Sequence, residues 1–227
     1  MRSITMIQAV LLVVILSGCK RQVSQVVPQD EEGAVEIARQ LREAITEPGI
    51  MQLDLGRETS TSLRGLRQQE VGRPFMCSLV AFGVAAEEPL RKLLNDDDES
   101  VRRSCAGLIQ QARNDVNSKP QSSEIIISLH IPVLEYALTS NDAEIRQIAC
   151  DSLGNFSNWD EVCFGRLMAA LPELRKLKDD GDQRVRGIAW TASNSIAAAV
   201  STRSRSSVDR EAAAGILKQL ESENRWE

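Results

Sequence analysis

The side chains of this chain that could do acid–base, nucleophilic or metal chemistry are few, and their spacing does not suit it. There is one histidine, His130, flanked by Leu129 and Ile131, where a structural role is expected. Asp96, Asp97, Asp98 and Glu99 form the densest run of acids. A calcium loop needs oxygen ligands at alternating positions and a glycine turn, so the run reads instead as an acidic turn between helices. A single histidine is too few for the usual histidine and carboxylate set of a metal centre. H-E-x-x-H, G-x-S-x-G and Gly-rich phosphate-loop motifs do not occur. Cys77, Cys105, Cys150 and Cys163 form no C-x-x-C pair. Cys105 and Cys150 fall at small-residue positions, where cysteine packs as a compact apolar residue. No catalytic residue, metal, cofactor or small-molecule substrate is expected, and the chain does not read as an enzyme.

Cys19 has a different setting. Arg2 gives a positive start, and Ala9 to Leu16 is an unbroken apolar run, extended by Met6 and Ile7 across Gln8. The run is too short to span a bilayer as a helix, which takes ~20 apolar residues, but it fits the apolar region of an export signal. The tetrad Leu16-Ser17-Gly18-Cys19 that closes it resembles the bacterial lipobox. That resemblance implies a diacylglycerol on the Cys19 sulfur, cleavage just before Cys19, and acylation of the new amine by a fatty acid such as palmitate. Stable anchoring takes more than one chain, each contributing ~0.8 kcal/mol per buried CH₂, and two or three chains would meet that need. Lipoproteins retained at the inner membrane commonly carry aspartate after the cysteine. Lys20 stands there, which points to the outer membrane. The expected layout is a removed signal (1–18), a lipidated tether (19–33) and a helical domain (34–227). Residues 20–33 lack helical periodicity, and fourteen residues at about 3.3 Å each reach roughly 45 Å when extended.

The elements that follow must be helical and aliphatic. Aromatic residues make up 4% of the chain and apolar residues 42%, so a core of small aliphatic side chains is available. The net charge of −5 gives no basic footprint for nucleic acid.

Three stretches repeat: "DESVRR" (98–103), "DAEIRQ" (142–147) and "DQRVRG" (182–187). Aligned on Val101, Ile145 and Val185, they lie 44 and 40 residues apart, a period that means stacked helical pairs. Asp98, Asp142 and Asp182 stand three before the anchors, placed to cap a helix, a contact worth ~1 kcal/mol. Arg102, Arg146 and Arg186 stand one after, where they could reach an acid in an adjacent turn. Leu90, Leu134 and Leu174 stand eleven before, with Pro89, Pro132 and Pro172 just ahead, offset by one residue in the first unit. Small pairs follow at Cys105-Ala106 and Ala149-Cys150, and Ala189-Trp190 breaks the pattern with a tryptophan. "NDDDESVRRSCAGLI" and "SNDAEIRQIACDSLG" resemble the HEAT repeat family, helix A with an early proline and then D-x-x-V-R-x-x-A-A-x-A-L-G on helix B.

The resemblance implies an all-α solenoid of about 3–4 repeats with capping helices, matching 72–200 well and 34–71 poorly. Phe82-Gly83 stands like Leu153-Gly154, so an earlier helix B is expected over about 73–82. The amino-terminal cap is expected to bury Val35, Ala38, Leu41 and Ile45. The carboxy-terminal cap is expected to present Val208, Ala212, Ile216 and Leu220, with Trp190 packed beneath it. Residues 111–124 read as a polar loop. The expected function is binding an unidentified protein through the B-helix surface of a membrane-anchored scaffold in the bacterial cell envelope, with Arg103, Gln147 and Asp151 as contact candidates. An enzyme accessory or lyase-like HEAT protein, and a purely structural envelope protein, are the alternatives.

Overall fold

The computed structural model describes residues 30–46, 72, 74–116, 126–156 and 161–223. Cys19, the expected export signal and most of the expected tether lie outside them. The described residues are all-α, with no strand among them. The helices are α1 (Glu31–Thr46), α2 (74–81), α3 (Glu87–Leu94), α4 (Glu99–Val116), α5 (Ile131–Ala137), α6 (Ala143–Phe156), α7 (Phe164–Lys176), α8 (Gln183–Arg203) and α9 (Ser207–Ser222). Short 3-10 turns precede α3 and α7 and follow α7, and a π turn over Ile126–His130 leads into α5.

The helices pair as α3–α4, α5–α6 and α7–α8. The first members of each pair stack in one layer, α3 on α5 on α7, and the second members in another, α4 on α6 on α8. This two-layer order makes the molecule a helical-repeat solenoid. Its core is one continuous apolar seam, including Leu90, Val101, Leu134, Ile145 and Leu174 with Phe156 and Phe164, and Val185 is buried at the third anchor position. Repeat positions thus occupy equivalent places, and burial of one such side chain contributes roughly 1.5–3 kcal/mol.

Glycine does two different jobs at the two Leu/Phe-Gly endings. Gly83 takes φ 57° directly after α2, a left-handed conformation that glycine adopts without strain. Gly154 stays inside α6, where a Cβ would lie 2.8 Å from Ala192 Cα on α8. Its lack of a side chain sets how closely these two second-layer helices approach.

Several boundaries and faces differ from the sequence reading. α1 begins at Glu31, and Asp30 accepts from the Gly33 N–H at 2.9 Å. Three residues assigned to the tether are therefore its first turn. Its buried face is Ala34, Ile37, Ala38, Leu41 and Ile45, while Val35 is 47% exposed. α4 continues through 111–116, the start of the expected loop, and 117–125 lie outside the described residues. In α9 the buried positions are Ala213 and Leu220, with Ile216 half-buried. Val208 and Ala212 face solvent because α9 packs on α8 along a stripe rotated from the one expected.

Candidate functional site

The repeat turns line one edge of the solenoid, and their construction follows from capping chemistry. Asp98, Asp142 and Asp182 each accept from the backbone N–H two residues on, at 2.8, 2.9 and 2.7 Å. Asp182 also accepts from Val185 N–H at 3.2 Å. Two residues before each cap stands a second acceptor side chain: Asp96, Ser140 and Asp180 take the N–H of the cap residue itself at 2.9, 3.2 and 2.9 Å. Together they satisfy N–H groups that a helix start leaves without intrahelical partners.

The repeat arginines close the same turns. Arg102, Arg146 and Arg186 donate through Nη1 to the carbonyls six residues back, of Asp96, Ser140 and Asp180, at 2.6, 2.7 and 2.8 Å. Arg102 adds the Asp97 carbonyl at 3.0 Å. The sequence reading had them reaching acids of adjacent turns. Of the three, Arg146 does so as well, gripping the Asp180 carboxylate at 2.8 and 2.9 Å. The others spend their forks on the backbone because the reversing chain brings its carbonyls nearer.

A fourth copy of this turn was missed in the sequence. Arg210 donates to the Ser204 carbonyl at 2.6 Å, Ser204 Oγ accepts from Ser206 N–H at 3.2 Å, and Ser206 Oγ caps Asp209 N–H at 3.2 Å. Serines replace both aspartates, Asp209 holds the anchor position, and the spacing from Arg186 is 24 residues, so no pattern built on aspartate, valine and a 40-residue period finds it. α9 is therefore entered like a second-layer helix with no first-layer helix before it.

Ion pairs tie successive turns together. Arg42 on α1 reaches Asp96 at 2.6 Å, and Arg103 on α4 reaches Asp142 at 2.9 Å and Glu144 at 3.0 Å. Burial alone would raise the carboxyls of Asp96, Asp142 and Asp180. The guanidiniums of Arg42, Arg103 and Arg146, with the backbone N–H donors, outweigh it and hold all three below the usual carboxylate range.

Between the first two of these turns lies an open groove of about 770 Å³ that reaches Asp182 in the third. Its walls carry six carboxylates and two guanidiniums, and both guanidiniums are already engaged. Of the contact candidates, Arg103 and Gln147 line this groove. Asp151 is not part of its lining; it is exposed farther along α6 and accepts from Gln110 on α4 at 2.9 Å.

The residues set aside for chemistry are placed as follows. His130 is 3% exposed, its ring edge-on to Phe156 at 6.4 Å, with Nε2 buried and without a partner. Burial lowers its pKa to about 4. Cys105, Cys150 and Cys163 are buried and Cys77 is exposed, and none of the four forms a disulfide. Burial pushes the Cys150 thiol up to about 12 and the Cys105 thiol higher still. No group of three or more histidine, cysteine or acid side chains among the described residues is placed to hold a metal ion.

No family model and no curated protein matches the chain significantly. Among solved structures it is similar to an engineered protein from a structural genomics consortium, with 21% identity over 85% of this chain and 92% of that one and a TM-score of 0.44. A designed armadillo repeat protein aligns at 19% identity over 84% and 92%, TM-score 0.41. A second engineered protein aligns at 19% over 91% of this chain and 56% of its own length, TM-score 0.44.

Proposed function

We propose that this chain is a lipid-anchored, HEAT-like scaffold of the bacterial cell envelope that binds a protein partner along its repeat-turn edge. The observation that carries the reading is the edge groove. Its turn backbones are already held by caps and arginine clamps, so the surface is preformed and loses little conformational freedom on binding. Its carboxylates exceed its cations, which fits a partner presenting lysines or arginines. Opposite charge across such a surface raises the association rate and selects partners.

Lipid on Cys19 would hold the scaffold at the membrane, with Lys20 favouring the outer membrane. Mass spectrometry of the mature chain is expected to show an acylated Cys19 at the amino terminus, and Cys19→Ala to leave the chain uncut or free of membranes. An unmodified Cys19 would remove the anchoring half of the reading. The binding half is tested by affinity capture from solubilised membranes with wild type and an Asp97→Lys, Glu144→Lys double variant. Partners held by the edge are expected to be lost from the variant while its melting temperature stays close to wild type, because both side chains are exposed and the Glu144–Arg103 pair is a surface one. A partner captured equally by both forms would place binding elsewhere.

A further inference from the structure

The exposed large apolar side chains among the described residues are Val35, Val84, Val162 and Val208, at 47%, 62%, 61% and 73%. A single exposed valine needs no explanation, but the placement of these four does. Val84 stands in the 3-10 turn Gly83–Ala86 before α3, and Val162 in the turn Glu161–Cys163 before α7. Both helices run toward a repeat turn, so their starts lie on the opposite edge of the solenoid. α9 runs in the same direction as α7. Arg205 before its start pairs with Glu161 before the start of α7, at 2.5 Å, and Glu223 after its last turn pairs with Arg175 near the end of α7, at 2.9 Å. Val208, the second residue of α9, is therefore on that edge too. α1 shares the direction: its Arg42 reaches Asp96 in the first repeat turn, and the helix touches the 3-10 turn that holds Val84. Val35 lies in its second turn, toward the end away from Asp96.

All four valines thus fall on the edge away from the acidic groove. α1 begins on the same edge, at Glu31, so this is where the chain leaves the domain toward Cys19. Ten residues separate Cys19 from Asp30, a reach of roughly 40 Å at full extension. A short linker holds two surfaces at an effective concentration on the order of millimolar, enough to populate a contact too weak to form between free molecules. Charge does not choose this edge: Glu31 and Glu32 stand at the start of α1, and the exposed Arg205 is already held by Glu161. What distinguishes it is apolar side chains beside the root of the tether.

We propose that the edge carrying Val35, Val84, Val162 and Val208 rests on the lipid surface that holds Cys19, with the valines in the headgroup–acyl boundary, so that the repeat turns and their acidic groove face away from the membrane. This orientation rests on the lipidation of Cys19 proposed above. It makes the groove accessible to a partner in the aqueous compartment, and it needs no anionic lipid.

The test uses the mature chain purified from membranes, with Cys77→Ser removing the exposed thiol. A nitrobenzoxadiazole dye is placed on Val35→Cys, on Val208→Cys or, at the turn edge, on Asp97→Cys, all exposed positions. Each form is reconstituted on phosphatidylcholine vesicles that include a headgroup-nitroxide phosphatidylcholine, and flotation shows whether the chain is anchored. The dyes at 35 and 208 are expected to emit at shorter wavelength on the vesicles and to be quenched by the nitroxide, and the dye at 97 to do neither. Val84→Glu with Val162→Glu, both at exposed sites, is expected to abolish quenching at 35 and 208 while the chain still floats and melts as wild type. A floating chain with no quenching at 35 and 208, or with equal quenching at 97, overturns the orientation and leaves the anchor standing. Quenching that survives the glutamate variant also overturns it, because the tether alone would then set the distance. A chain that does not float removes the anchor, and the orientation falls with it.

Discussion

His130 illustrates how a residue with chemical potential becomes a structural one. A neutral imidazole on the last residue of the π turn fills space against Phe156, and its unpartnered Nε2 has nothing to share a proton with. The folded state holds the pKa near 4, below the unfolded value of 6.5. Stability from this residue is therefore complete above pH 6.5 and declines as pH falls through the window to 4, because the unfolded chain takes up the proton first. The loss amounts to about 2 kcal/mol by pH 5, taking 1.36 kcal/mol per pKa unit. It is the chain's one histidine, so it supplies most of the slope between pH 5 and 6.5, against an opposing contribution from Glu135, whose carboxyl burial raises. Urea unfolding of wild type is expected to show that slope, and His130→Leu to flatten it. A wild type equally stable at pH 7 and pH 5 would mean that His130 meets water in the folded state. The paired carboxylates of the turns act lower: held below the usual range, Asp96, Asp142 and Asp180 lose their contribution as pH falls below about 4.

At the scale of elements, the caps and anchors could be read from the sequence because their chemistry is local. A helix start needs an acceptor within three residues, and a buried seam needs an aliphatic side chain at fixed spacing, so Asp98, Asp142, Asp182 and the Val/Ile anchors declare themselves. What the arginines bind did not, because the nearest acceptor depends on how the turn folds back, and backbone carbonyls carry no letter in the sequence. The outward faces of α1 and α9 were misjudged for a related reason. Both end helices have apolar residues on more than one stripe, and only docking against α3–α4 or α8 selects which is buried. Arg103, Gln147 and Asp151 share an origin in helix periodicity, yet Arg103 and Asp151 are drawn into contacts between repeats. The turns give a direct prediction. Asp142 caps α6 and also receives Arg103, so Asp142→Ala removes two interactions and is expected to cost about 1–2 kcal/mol, against ~1 for a cap alone. A double-mutant cycle with Arg103→Ala, read by chemical denaturation, separates the two. A coupling energy of zero would reduce Asp142 to a cap.

For the whole molecule, the open question a solenoid must answer is how it ends. Each repeat buries its face on the next, and the last has no next, so an uncovered end exposes core. Here the answer is α9, entered through the fourth arginine-clamped turn and laid along α8. Trp190 sits at the second small-residue position of α8, where a tryptophan bars a further second-layer helix from stacking closely. It is half-buried and packed on the core, as is Ile216 of α9, and its indole N–H is enclosed without a partner. Enclosure is thus less complete than full burial under a cap, and Trp190→Ala is expected to cost ~2–3 kcal/mol, below the ~3–5 of a wholly buried tryptophan. Deleting residues 204–227 would remove the covering helix. With Trp159 and Trp226 replaced by phenylalanine, so that emission reports Trp190 alone, the intact chain is expected to emit at shorter wavelength than free indole. The deletion is expected to shift that emission toward the free value and lower the melting temperature in the same step. If emission shifts while the melting temperature holds, α9 shields the tryptophan without closing the array. If neither changes, the end of the solenoid is sealed by α8 itself, and the fourth turn serves only to place α9.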